Sequence, residues 1–141
     1  MARRLPVRCA VEQADGVCIL VVEDDAAARN ALRDVLRDAG YQVVSAENGA
    51  AALGAIDGAS TNPDLVLLDI NMPHMNGPDF LDCLRSRPES RRTPVIVVTG
   101  APRPSIPAKF GDMRIVRKPF DVGALLDVIH AVIASTPAGR N

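Results

Sequence analysis

Three acids follow one another at Glu23-Asp24-Asp25, and a single acid, Asp69, closes the apolar run Leu65-Val-Leu-Leu68. Thr99 closes a second apolar run that starts at Pro94, and Lys118 follows a third, Ile115-Val116. Brought together, these residue types suit phosphoryl transfer. Packed carboxylates repel one another, and a divalent cation relieves that repulsion. Oxygen ligands with room for water favour Mg²⁺. A carboxylate can also attack phosphorus and form an acyl phosphate. Such a transfer needs positioning and charge neutralisation more than covalent machinery. Mg²⁺, the Lys118 ammonium and the Thr99 hydroxyl would neutralise and hold the phosphoryl oxygens.

The elements around these residues predict that they do meet. Short continuous apolar runs at Val17–Val22, Leu65–Leu68 and Val95–Val98 suit strands buried on both faces. Gln42–Ala46 and Ile115-Val116 read as two more strands. Between the first two strands, Ala28, Ala31, Leu32, Val35, Leu36 and Ala39 recur at helical spacing, with Asp25 as cap and Gly40 as stop. Asn48 caps a short Ala-rich helix to about Asp57, and Pro78 fits the first turn of a helix to about Arg87. Asp121 caps a last helix whose apolar face is Val122, Leu125, Leu126, Ile129, Val132 and Ile133. Strands alternating with helices mean a parallel sheet covered on both faces. In such a sheet the C-terminal strand ends share one edge, where ligands bind. Taken singly, Asp24 or Asp25 could cap a helix, Thr99 satisfy a turn and Lys118 face solvent. All of them at the same end of consecutive strands points to a site.

Composition sets the limits. The chain has 141 residues, enough for one domain with a sizeable core, and aromatics are 3%, so that core must be Leu, Val, Ile and Ala. A net charge of -1 argues against direct nucleic-acid binding. Cys9, Cys18 and Cys83 are odd in number and form no CxxC, which predicts reduced thiols and a cytoplasmic protein. No apolar run approaches the roughly 20 residues of a membrane span, and no apolar signal core follows Arg3, Arg4 and Arg8. Residues 1–16 read as an N-terminal extension, 17–135 as the single domain and 136–141 as a C-terminal tail.

Val-Val-Glu23-Asp24-Asp25, Leu-Leu-Asp69-Ile-Asn71-Met-Pro73, Val-Val-Thr99-Gly100 and Arg-Lys118-Pro119-Phe120 together resemble the receiver domain of bacterial two-component response regulators. The resemblance runs from about Val17 to Ser135. It implies a flavodoxin-like, doubly wound α/β fold with a five-stranded parallel sheet in the order 2-1-3-4-5. It makes Asp69 the phosphoacceptor, with Thr99 moving toward the phosphoryl group and Lys118 pairing with it. Mg²⁺ would be held by Asp24, by Glu23 directly or through water, by Asp69 and by the backbone carbonyl of Asn71. The Lys118-Pro119 bond would be cis. The expected partners are a sensor histidine kinase or histidine phosphotransfer protein and an output protein. No activity is expected beyond Mg²⁺-dependent self-phosphorylation and self-dephosphorylation.

Two departures from the family pattern bear on output. Ile115 stands where a Tyr or Phe that swings inward is common. Between Thr99 and Lys118, Pro102, Pro104 and Pro107 break helical geometry, so the fourth helix of the family is expected to be short or missing. Two other functions are weighed against a phosphoacceptor switch. A phosphatase of the haloacid-dehalogenase type would want an acid two residues after its nucleophile, where this chain has Asn71. A flavin-binding flavodoxin relative would need a Ser/Thr/Gly-rich phosphate loop where this chain has Glu23-Asp24-Asp25. His74 reads as a solvated loop residue and His130 as a surface position of the last helix.

Overall fold

Cys18–Val22 (β1) leads into helix Ala26–Asp38 (α1), followed by Gln42–Ala46 (β2), Gly49–Gly58 (α2) and Leu65–Asp69 (β3). Gly77–Ser86 (α3), Val95–Thr99 (β4), Arg114–Arg117 (β5) and Val122–Ser135 (α4) complete the order. These elements come from a computed structural model, which describes residues 16–58, 62–70, 77–88, 90, 92–100 and 113–135. The N-terminal extension with Cys9, the residues Asn71 and His74, the proline-bearing segment 101–112 and the tail 136–141 lie outside the described residues.

All strand pairs are parallel, and the sheet order is β2-β1-β3-β4-β5. This is the flavodoxin-like order expected from the sequence. Of the three inner strands, β3 and β4 are buried at every position and β1 at all but Cys18. That explains their unbroken hydrophobicity, because a central parallel strand has no solvent face.

Alternate strand residues feed two cores. Leu20, Val22, Val66, Leu68, Val95 and Val97 pack against Ala52 and Ile56 of α2 and Phe80, Leu81 and Leu84 of α3. Ile19, Val21, Leu65, Leu67 and Ile96 pack on the other face against Leu32 and Leu36 of α1 and Leu125 and Ile129 of α4. The edges are thinner. Val44 on β2 and Ile115 on β5 are each 43% exposed. Val122, expected on the apolar face of α4, is also exposed, because the helix settles onto the sheet only from Leu125 onward. His130 is exposed, as expected.

Capping follows the sequence closely. Asp25, Asn48 and Asp121 each accept a hydrogen bond from the backbone N–H three residues ahead, at 2.8, 2.7 and 2.9 Å. Gly40, at φ 99°, ends α1. Its N–H donates to the Arg37 carbonyl at 2.9 Å and that of Tyr41 to the Leu36 carbonyl at 3.0 Å, a Schellman closure that returns the chain to β2. At the far end of α3, the partly buried Arg85 donates to the Thr93 carbonyl at 2.6 Å, tying the helix to the approach to β4. Cys18 and Cys83 are not joined to each other. No helix among the described residues is long and apolar enough to cross a membrane.

Candidate functional site

The register decides which side chains meet. Val22 is level with Leu68, Asp69 with Val98, and Thr99 with Arg117. The next residues out, Glu23 after β1 and Lys118 after β5, therefore emerge at the same edge as Asp69 and Thr99. The N–H of Glu23 still donates to the Ala46 carbonyl of β2, at 3.0 Å, and that of Lys118 to the Thr99 carbonyl, at 2.8 Å. Sheet bonding thus continues up to the functional residues and fixes their backbones.

Carboxylate oxygens of Glu23, Asp24 and Asp69 lie within 4.8 Å of one another. Glu23 and Asp69 are buried, at 2% and 8% exposure, while Asp24 faces solvent. Three hard oxygen donors, two of them screened from water and one open, fit a Mg²⁺ ion that keeps part of its hydration shell. The fourth expected donor, the Asn71 carbonyl, lies outside the described residues.

Lys118 reaches into this cluster. Its Nζ is 2.7 Å from Glu23 Oε1 and 3.7 Å from Asp69 Oδ2. Burial alone would lower the pKa of the Lys118 ammonium. The hydrogen bond to Glu23 and the charges of Asp69, Glu23 and Asp24 outweigh it and hold the pKa above the usual lysine value. The group is therefore a fixed cation beside Asp69. The Lys118-Pro119 bond is cis, as the resemblance implied. Thr99 is fully buried at the end of β4, the strand next to Asp69.

Glu23, Asp24, Asp69 and Lys118 thus stand together as the sequence predicts, and Thr99 stands on the same sheet edge. One contributor escaped the sequence reading. Arg29 of α1 turns back so that its Nη1 donates to the Glu23 carbonyl at 2.9 Å. Its signal was a cation near a helix N-terminus, where the dipole disfavours one. Ile115 does not take the place of an inward-turned aromatic, since its side chain is substantially exposed.

Comparison with known proteins agrees with this geometry. The model of the response regulator receiver domain matches residues 19–130. The response regulator protein FleR of Pseudomonas aeruginosa is 37% identical over 119 residues, covering 81% of this chain and 24% of FleR. The chain thus spans about a quarter of that relative's length. Among solved structures, the Vibrio cholerae chemotaxis protein CheY4 superposes with a TM-score of 0.72 at 30% identity, covering 82% of this chain and 98% of CheY4. The Thermotoga maritima response regulator TrrA, solved in complex with Mg(2+)-BeF, gives a TM-score of 0.71 at 30% identity, with 82% and 98% coverage. A match that runs from β1 into α4 and takes in every strand end of the acidic edge leaves one conclusion: this chain belongs to the response regulator receiver domain family.

Proposed function

We propose that the chain is a phosphoacceptor switch in a phosphorelay: Asp69 takes a phosphoryl group from a sensor histidine kinase or a histidine phosphotransfer protein, and the modified domain signals by contact with an output protein. The observation that carries this reading is the meeting of Glu23, Asp24 and Asp69 within 4.8 Å, with the Lys118 ammonium 3.7 Å from Asp69. In the reaction, an Asp69 carboxylate oxygen forms a bond to phosphorus. The P–N bond of the donor phosphohistidine breaks, and its electron pair returns to the imidazole. Glu23, Asp24, Asp69 and the Asn71 carbonyl would hold Mg²⁺, which when bound offsets the charge of the carboxylates and phosphoryl oxygens. Lys118, already beside Asp69, pairs with one phosphoryl oxygen, and the Thr99 hydroxyl donates to another. The acyl phosphate is later hydrolysed by water, so any catalysis is confined to the chain's own modification. The reaction takes place in the cytoplasm, where phosphohistidine donors are available.

Incubation with Mg²⁺ and acetyl phosphate tests the reading. Intact mass should show one added phosphoryl group per chain, removed by hydroxylamine as an acyl phosphate and not a phosphoester would be. An unmodified mass, or a hydroxylamine-resistant adduct, would count against it.

Cation binding has its own expected signature. An ion that binds the folded cluster and not the unfolded chain raises stability by mass action, about 2.7 kcal/mol at 100 times its Kd. Millimolar Mg²⁺ should therefore raise the melting temperature of the wild type, and Asp24→Asn should lose most of that shift. Equal shifts in both proteins, followed by circular dichroism, would contradict the assignment of Asp24 to the cation.

A further inference from the structure

A positive side chain in the opening turns of a helix opposes the helix dipole, yet α1 carries Arg29 there. The side chain folds back over the N-terminus of its own helix. Its Nη1 donates to the Glu23 carbonyl at 2.9 Å and reaches the Asp24 carbonyl at 3.5 Å. These carbonyls belong to the two peptide units that flank the Cα of Asp24. Peptide units are rigid planes, so holding both sets the φ and ψ of the residue between them and the direction of its Cβ.

Asp24 is the member of the cluster that depends most on such a restraint. Glu23 is pinned by Lys118 Nζ at 2.7 Å and by the Asp25 N–H at 3.2 Å on its other oxygen. Asp69 is buried on a central strand beside Lys118. The Asp24 carboxylate is exposed, and among the described residues it accepts no hydrogen bond, so its aim comes from its backbone.

We propose that Arg29 is a positioning residue for the cation site: by clamping the peptide units on either side of Asp24 it aims that carboxylate at the ion, although its own charge repels one. The inference rests on the reading of Glu23, Asp24 and Asp69 as a Mg²⁺ site.

Geometry and charge act in opposite directions here, which separates the explanations. Arg29→Ala removes both the clamp and the charge. Arg29→Lys keeps the charge but puts a compact ammonium where the guanidinium Nη1 reaches both carbonyls. The dissociation constant for Mg²⁺ is measured by calorimetry on the whole chain, with folding verified by circular dichroism. Arg29→Ala should bind Mg²⁺ about tenfold more weakly than the wild type, at the lower end of the effects of outer partners on metal ligands. Arg29→Lys should recover part of the loss. Tighter binding by Arg29→Ala, with Arg29→Lys equal to wild type, would mean that only charge matters and would overturn the proposal. A lower melting temperature without any change in the dissociation constant would reduce Arg29 to a structural role and overturn it equally. If the wild type itself bound no Mg²⁺, the underlying reading of the acidic cluster would fall, and the positioning role with it.

Discussion

Asp69→Ala is expected to take up no phosphoryl group from acetyl phosphate under conditions that label the wild type once per chain. Glu23 and Asp24 remain in the variant, but Glu23 is engaged with Lys118 and Asp24 is open to solvent. Neither stands where Asp69 does, on a central strand with a cation 3.7 Å away. The fold should survive, because Asp69 is at the end of β3 and outside both hydrophobic clusters. The apo variant should even melt somewhat higher, since one of three mutually repelling carboxylates is gone and Lys118 keeps Glu23 as its partner. Intact mass and thermal melting measure the two effects separately. Undiminished labelling of Asp69→Ala would show that the acceptor is another residue, and a large fall in melting temperature would show that Asp69 is chiefly structural.

The largest stability effect should come from Phe80→Ala. Phe80 is fully buried on α3 and packs with Leu81 and Leu84 against Val66, Leu68, Val95 and Val97. Among the described residues, every other member of that cluster is smaller than Phe80, so no like-sized neighbour refills the space. Phe→Ala in a core costs about 3–5 kcal/mol, against a total of about 5–15 kcal/mol for a typical domain. The urea midpoint should therefore fall sharply with little change in the slope of the transition. A loss under about 1 kcal/mol would mean that the face of the sheet under α3 is far less tightly packed than these contacts indicate.

The parts of this fold that were readable in the sequence are those with a local cause. Leu65–Leu68 announced a central strand because burial on both faces leaves no polar alternate positions. Asp25, Asn48 and Asp121 announced helix starts because a short acceptor side chain can reach a backbone N–H three residues on. Asp69, Thr99 and Lys118 were legible as a set because parallel strands put equivalent ends on one edge. Less legible were the features decided by neighbours far away in sequence. Whether Val44, Ile115 or Val122 is covered depends on what packs over the sheet margin and the first turn of α4, and their apolar character gives no sign of it. Arg29 offered only the sign of a cation close to a helix start, since its partners, the carbonyls of Glu23 and Asp24, become acceptors only once the chain passes from β1 into α1.

The hydrogen bond between Lys118 and Glu23 joins residues 95 positions apart. Between them the chain must lay down four more strands of the sheet before the ammonium arrives beside the acids. During synthesis, then, the acidic residues leave the ribosome long before their counter-cation does. A nascent chain ending before β5 carries Asp69 but not the lysine that stands next to it. The charge balance of the acidic edge is thereby completed only when the last strand is in place, and a half-made or misassembled copy holds its carboxylates without their counter-cation.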